Sequence, residues 1–191
     1  MNIANVVSNN CRMISARFTK EDRTFLSDAD IILLAGGDVE VGWKAFQVFG
    51  LESAIRERYL EGGVILIGIS AGAVQLGMRA FSDDSSAEQQ HNDDDDTDKS
   101  SNRRTVFSPF QMVPFCIGAH EEAEDWAELK ELITHQNGWR RGFGIPFGGA
   151  LICYPDRSFE AVFEPVQELI SRGEEQGLKE SLIMPGIRVH R

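Results

Sequence analysis

The sequence predicts an α/β layer structure built on a mostly parallel sheet, and three features predict it. Two short apolar runs, 29–35 and 64–67, each close on glycine, the pattern of strands buried on both faces of a parallel sheet. Each run leads through a short glycine turn into a helix-compatible stretch, so strand and helix alternate. The 191 residues suffice for one well-buried core and fall short of two ordinary domains, so residues 1–191 are read as a single domain.

Taken in order, residues 1–20 are weakly patterned and the first strand ends at Gly36-Gly37-Asp38. A helix is expected over 43–59, where Phe46, Phe49, Ile55 and Tyr59 recur among charges, and Gly62-Gly63 stops it. The second strand runs into Gly68-Ile69-Ser70-Ala71-Gly72-Ala73 and a short helix through Met78. Residues 82–104 differ in kind. They hold a four-aspartate run and no large apolar residue, so burial cannot offset their ordering entropy and a disordered acidic surface loop is expected. Order returns over 110–117 and continues to Gly118-Ala119-His120. A helix is expected over 121–133 with its acids in the first turns, and a glycine-punctuated turn over 142–149. Two short strands, 150–154 and 159–163, flank a Pro155-Asp156 turn, and 164–180 is read as a terminal helix.

Charge narrows the functional classes. The net charge of −11 offers no cationic attraction to nucleic acid or to an anionic membrane surface, and neither is expected as a partner. No run approaches the ~18 apolar residues of a membrane span, and the opening residues carry no apolar stretch of signal-peptide type, so a cytoplasmic protein is expected. Cys11, Cys116 and Cys153 are odd in number and widely spaced, which reads as small buried hydrophobes rather than a disulfide framework. No metal or cofactor is expected: adjacent carboxylates over 93–96 define no coordination shell, and 142–149 lacks phosphate-loop spacing.

The chemistry concentrates at Gly68-Ile69-Ser70-Ala71-Gly72, which fits Gly-x-Ser-x-Gly between a buried strand and a helix. Small neighbours let strand and helix approach while the hydroxyl of Ser70 projects from a strained turn. The amide of Ala71 then faces the oxygen on which negative charge develops, and Gly37, after the other strand, is the second candidate oxyanion donor. The competing readings are a capping serine at Ser70 and an ordinary tight turn at Gly36-Gly37-Asp38. A hydroxyl needs a base. Of the four histidines, His91 lies in the acidic loop, His135 near a helix end and His190 beside the C-terminus. His120 follows an apolar run and emerges at the strand end where open α/β sheets place their sites, so it is the expected base. The third member stays open among Glu122, Asp125, Asp83 and Asp84, for which a helix-start role competes.

At these residues the chain resembles the S51 serine peptidases, the group of peptidase E (aspartyl dipeptidase) and cyanophycinase. The elbow matches over 68–73, the Gly-Gly-Asp strand at 36–38, the histidine at His120, and a glycine-rich stretch over 142–151. The resemblance spans about residues 25–165 and implies a three-layer, class I glutamine amidotransferase-like fold, shortened at its N-terminal side. It implies serine-dependent hydrolysis of peptide bonds through an acyl-enzyme, on aspartyl dipeptides or related small peptides. Two departures bear on substrate: Pro146 and Phe147 replace acidic residues usual there, and 121–125 is acidic where the family carries arginine. A homodimer that covers the exposed sheet edge of a shortened domain is a further expectation. The alternatives are an esterase using the same serine and an inactive or truncated relative that serves as a binding or interaction protein.

Overall fold

A computed structural model describes residues 10–14, 17–82, 104–134, 140–172 and 177–190. Residues 83–103 of the expected acidic loop, with Asp83, Asp84 and His91, and also His135, therefore lie outside the described residues.

Helix α1 (Lys20–Ser27) begins with Thr19 and Asp22 bonding each other's backbone N–H groups in a capping box. Strand β1 (Ile31–Leu34) follows and pairs in parallel with β2 (Ile65–Gly68), Ile31 opposite Ile65 and Leu33 opposite Ile67. Between them stand two helices, α2 (Val39–Val48) and α3 (Leu51–Glu61), where the sequence suggested one. Gly50 divides them at φ 71°, a left-handed conformation that glycine adopts without steric cost. Ile32 and Leu34 point into a core with Leu26, Trp43, Leu51, Ile55 and Phe110. The opposite face carries Ile31, Leu33 and Ile65, all exposed, so among the described residues β1 and β2 are covered on one face, where the sequence suggested two.

Beyond α4 (Ala71–Leu76), strands β3 (Ala80–Ser82) and β4 (Thr105–Phe107) pair antiparallel. Strand β5 (Cys116–Ala119) leads through a 3-10 turn (Glu122–Glu124) into α5 (Ala127–Thr134). The expected helix over 121–133 thus starts six residues late, after Asp125 and Trp126 at positive φ.

The glycine-rich stretch read as a turn begins as a strand, β6 (Arg141–Ile145), parallel to β5. The reason lies in its alternation. Gly142 and Gly144, with Gly118 of β5, occupy the face under α5, where a Cβ would strike Leu129 at 2.8 Å or the Trp126 ring at 2.5 Å. The glycines flatten the sheet so that the helix can close on it, while Ile117 and Phe143 fill the other face.

Strands β7 (Ala150–Cys153) and β8 (Phe159–Val162) form the expected hairpin. The segment expected as a terminal helix is instead an antiparallel hairpin, β9 (Val166–Ser171) and β10 (Leu178–Ile183), with β9 against β6. Pairing with the β6 edge and burial of Val166 and Leu169 outweigh the helix preference of its Glu, Gln and Leu residues. β11 (Arg188–Val189) closes against β8. The architecture is α/β with mixed sheets: β1–β2 and β5–β6 are parallel, and the other pairings are antiparallel. Cys116 is buried as expected, whereas Cys11 and Cys153 are exposed. Among the described residues no helix is long and apolar enough to cross a membrane.

Candidate active site

The two parallel pairs present their C-terminal ends to one place. After β2, Ile69 still donates its N–H to the Leu34 carbonyl at 3.0 Å. The chain then reverses in one residue: Ser70 holds φ 53° and ψ −118°, a strained conformation for a residue with a side chain, and α4 starts at Ala71. Close packing enforces the turn. A Cβ on Gly68 would fall 2.5 Å from the Gly72 carbonyl oxygen, and one on Gly72 2.3 Å from that of Leu34. The spacing of the motif is therefore the spacing at which helix and strand touch.

The second pair delivers the histidine. His120 donates its N–H to the Ile145 carbonyl at 2.8 Å, extending the β5–β6 ladder by one residue, and leaves the strand at φ 47°. Ser70 Oγ and His120 Nε2 lie 2.7 Å apart. With the imidazole neutral and its proton on Nδ1, the hydroxyl is the donor.

Gly36 packs against the serine, since a Cβ there would meet Ser70 Cβ at 3.2 Å. Gly37 has φ 144°, a conformation side chains rarely adopt. Asp38 accepts the Val41 N–H at 2.8 Å and caps α2, which fixes where Gly37 turns. Gly37, Ser70, Ala71 and His120 all line one cleft of about 180 Å³. Its apolar walls include Val74, Phe81 and Leu132, and its charged walls are Glu121 and Glu128.

Two of the four carboxylates considered as a third member are engaged elsewhere. Glu122 Oε1 accepts the Phe147 N–H at 3.0 Å, tying the turn after β6 to the histidine's strand, and that bond holds its carboxyl below the usual carboxylate range. Asp125 is exposed and pairs with Lys130 Nζ at 2.8 Å. Asp83 and Asp84 lie outside the described residues. Among the described residues no carboxylate is hydrogen-bonded to Nδ1 of His120. His190 lies next to β11, on an element that does not line the cleft.

Two neighbours of the site escaped the sequence reading. Gln75, buried in α4, donates Nε2 to the Val39 carbonyl at 2.9 Å and so fixes the start of α2 beside the elbow. Its polarity inside a short apolar helix was the available signal. Glu128 enters from α5, and its position could be read only once that helix was laid on the sheet. Burial also pushes the Cys116 thiol up to about 11, which leaves it an unreactive core residue.

A family model described as peptidase family S51 matches residues 10–160. No curated protein sequence matches the chain. Among solved structures, a peptidase from an acI-B1 Actinobacterium is similar at TM-score 0.62 and 20% identity, covering 88% of this chain and 62% of that one. The chain thus spans less than two thirds of the length of that structure, and the likeness concerns the fold. Another, assigned provisionally as a peptidase E protein from Listeria monocytogenes EGD-e, is similar at TM-score 0.48 and 16% identity, covering 90% of this chain and 70% of that one.

Proposed function

The chain belongs to peptidase family S51, and from that premise we propose that it hydrolyses peptide bonds of small peptides through an acyl-enzyme on Ser70. The observation that carries this reading is the 2.7 Å approach of His120 Nε2 to Ser70 Oγ at a strained strand-to-helix elbow. Oγ attacks the scissile carbonyl carbon as its proton passes to Nε2. The carbonyl oxygen becomes an oxyanion, for which the N–H groups of Gly37 and Ala71 are the donors. When the C–N bond breaks, the amine leaves with the proton from Nε2. Water then attacks the ester, giving its proton to Nε2, and Ser70 Oγ recovers a proton as the acid is released. With Glu122 and Asp125 engaged elsewhere, His120 acts in this reading as a dyad with Ser70.

Aspartyl dipeptides would need a cation in the cleft. No Lys or Arg is among the described residues that line it, and Arg104, 3.5 Å from the lining Glu128 at Oε2, is engaged there. Two further parts of the proposal are that residues 1–191 work as one cytoplasmic hydrolytic domain and that a second copy covers the exposed face of β1 and β2. A second reading, a binding protein without turnover, is favoured by the lack of a carboxylate at His120 Nδ1 among the described residues. The same dyad would also serve an esterase.

A fluorophosphonate probe separates these readings. It is expected to label Ser70 in the wild type, as located by peptide mapping, and to fail on folded Ser70→Ala and His120→Ala. Folded wild type that neither labels nor turns over amide and ester panels would leave the binding protein as the function.

A further inference from the structure

Gln75 is 2% exposed in the otherwise apolar helix α4, and the proposed reaction gives it no task. Its Nε2 donates to the Val39 carbonyl at 2.9 Å. Gly42 keeps the space for that amide, since a Cβ there would lie 2.8 Å from Nε2. The backbone of Gln75 is held in turn, its carbonyl accepting the Phe110 N–H at 3.0 Å. The side-chain bond therefore joins the helix that begins with Ala71 to the first residue of α2.

A second tie joins the elbow to β1: Ile69 donates to the Leu34 carbonyl at 3.0 Å, and Gly72 packs against that same carbonyl. Between the two anchors, Leu34 and Val39, lie only Ala35, Gly36, Gly37 and Asp38. Successive glycines do not fix their own dihedrals, so the direction of the Gly37 N–H depends on where the anchors stand. Asp38 passes the position of α2 on to Gly37. Its side chain accepts the Val41 N–H at 2.8 Å and its carbonyl the Gly42 N–H at 3.0 Å, so it moves with the helix start.

We propose that Gln75 is a positioning residue of the oxyanion hole, holding the Gly37 N–H in register with that of Ala71. This rests on the Ser70 hydrolase reading and adds a residue to its machinery. The two donors belong to different elements, yet both must point at one oxygen before charge develops on it. Gln75 does not line the cleft and acts through Val39, which does. The Val39 carbonyl keeps its partner within α2 when the amide is removed, so the tie can be cut without orphaning a buried acceptor.

The test measures the rate at which the fluorophosphonate probe labels Ser70 in the full chain, with circular dichroism as the folding check. It compares wild type, Gln75→Met, Gly42→Ala and the double variant. Gln75→Met keeps the length of the side chain and removes the donor. Gly42→Ala leaves Gln75 in place and pushes aside only the flexible end of its side chain, and alanine suits a helix interior better than glycine. Each single variant is expected to label about 10- to 100-fold more slowly, and the double variant no more slowly than the singles, because both cut one tie. The pH of half-maximal labelling is expected to stay that of the wild type, since Ser70 and His120 are untouched. A wild-type rate in either single variant, additive losses or a shifted pH profile overturns the inference. NMR of the resting protein decides the point without the probe: the Gly37 amide is expected to show a lower 15N order parameter in both single variants, while Ala71 keeps its own. An unchanged Gly37 in either variant overturns the inference even where Ser70 of the wild type labels. Loss of order at Gly37 in a protein whose Ser70 does not label upholds the tie and removes the hydrolase.

Discussion

Ser70→Ala and His120→Ala each remove one half of a 2.7 Å pair whose halves have no separate use in acyl transfer. Residues that act as such a unit lose activity together, so each single variant is expected to reduce kcat by about 10,000-fold or more, and the double variant by little beyond that. Steady-state kinetics on a hydrolysed peptide checks this, and additive losses would dissolve the dyad. Gly72 makes a different residue-scale prediction. A methyl there meets the Leu34 carbonyl oxygen at 2.3 Å, and the neighbours it strikes are backbone atoms of Leu34 and Ala35, which leaves it no flexible side chain to displace. Gly72→Ala is expected to cost about 1–3 kcal/mol or more by overpacking, measured as a shifted denaturation midpoint, and to lose probe labelling as the elbow opens.

At the scale of elements, the β6–β9–β10 sheet encloses an ion pair. Glu168 is fully buried, with Oε1 2.8 Å from an Arg141 nitrogen and Oε2 accepting the Ser181 hydroxyl at 2.9 Å. Glu168→Ala leaves the guanidinium without its carboxylate and is expected to destabilise by about 3–5 kcal/mol; a denaturant midpoint equal to that of the wild type would contradict this. The β7–β8 turn gives a pH dependence. Hydrogen bonds from Ser158 and the guanidinium of Arg188 hold the Asp156 carboxyl well below its ordinary value. Because the folded value is the lower one, the contribution is complete above the unfolded value near 4. It is lost as pH falls from there through the depressed folded value. Asp156→Asn is therefore expected to flatten the acid side of the melting temperature's pH profile, and an unchanged slope would remove the assignment.

For the whole molecule, the feature with the largest consequence is the face of β1 and β2 that the described residues leave open. Ile31 stands opposite Ile65 and Leu33 opposite Ile67, so branched aliphatic side chains meet in a block, and Ile65 is 62% exposed. Parallel sheets are ordinarily covered on both faces, and an apolar block of this kind commonly marks an association surface. A homodimer across this face predicts sedimentation that depends on protomer concentration, and Ile65→Lys is expected to render it monomeric without loss of the fold. A wild type that sediments as a monomer at every concentration would remove the dimer.

What the sequence by itself determined was local. The elbow could be read because its requirement is short-range: glycines at fixed offsets around Ser70 let a strand and the following helix touch, and no distant residue has to be known. The same holds for β1, β2 and the β7–β8 hairpin, where apolar runs and turn residues are contiguous. His120 could be named from the apolar run before it, but its distance to Ser70 depends on how β5 lies beside α4. The tertiary structure alone decided that 142–145 is a strand, because its glycines answer a helix and a tryptophan that pack from elsewhere. It decided that 166–171 and 178–183 pair as antiparallel strands, since Glu- and Gln-rich segments take the structure whose edge is available to them. It also decided which acid faces the cleft. Glu121, Glu122 and Asp125 are near neighbours in the chain, yet a 3-10 turn and one missing side chain at Gly118 send the first inward, the second to a backbone amide and the third to solvent.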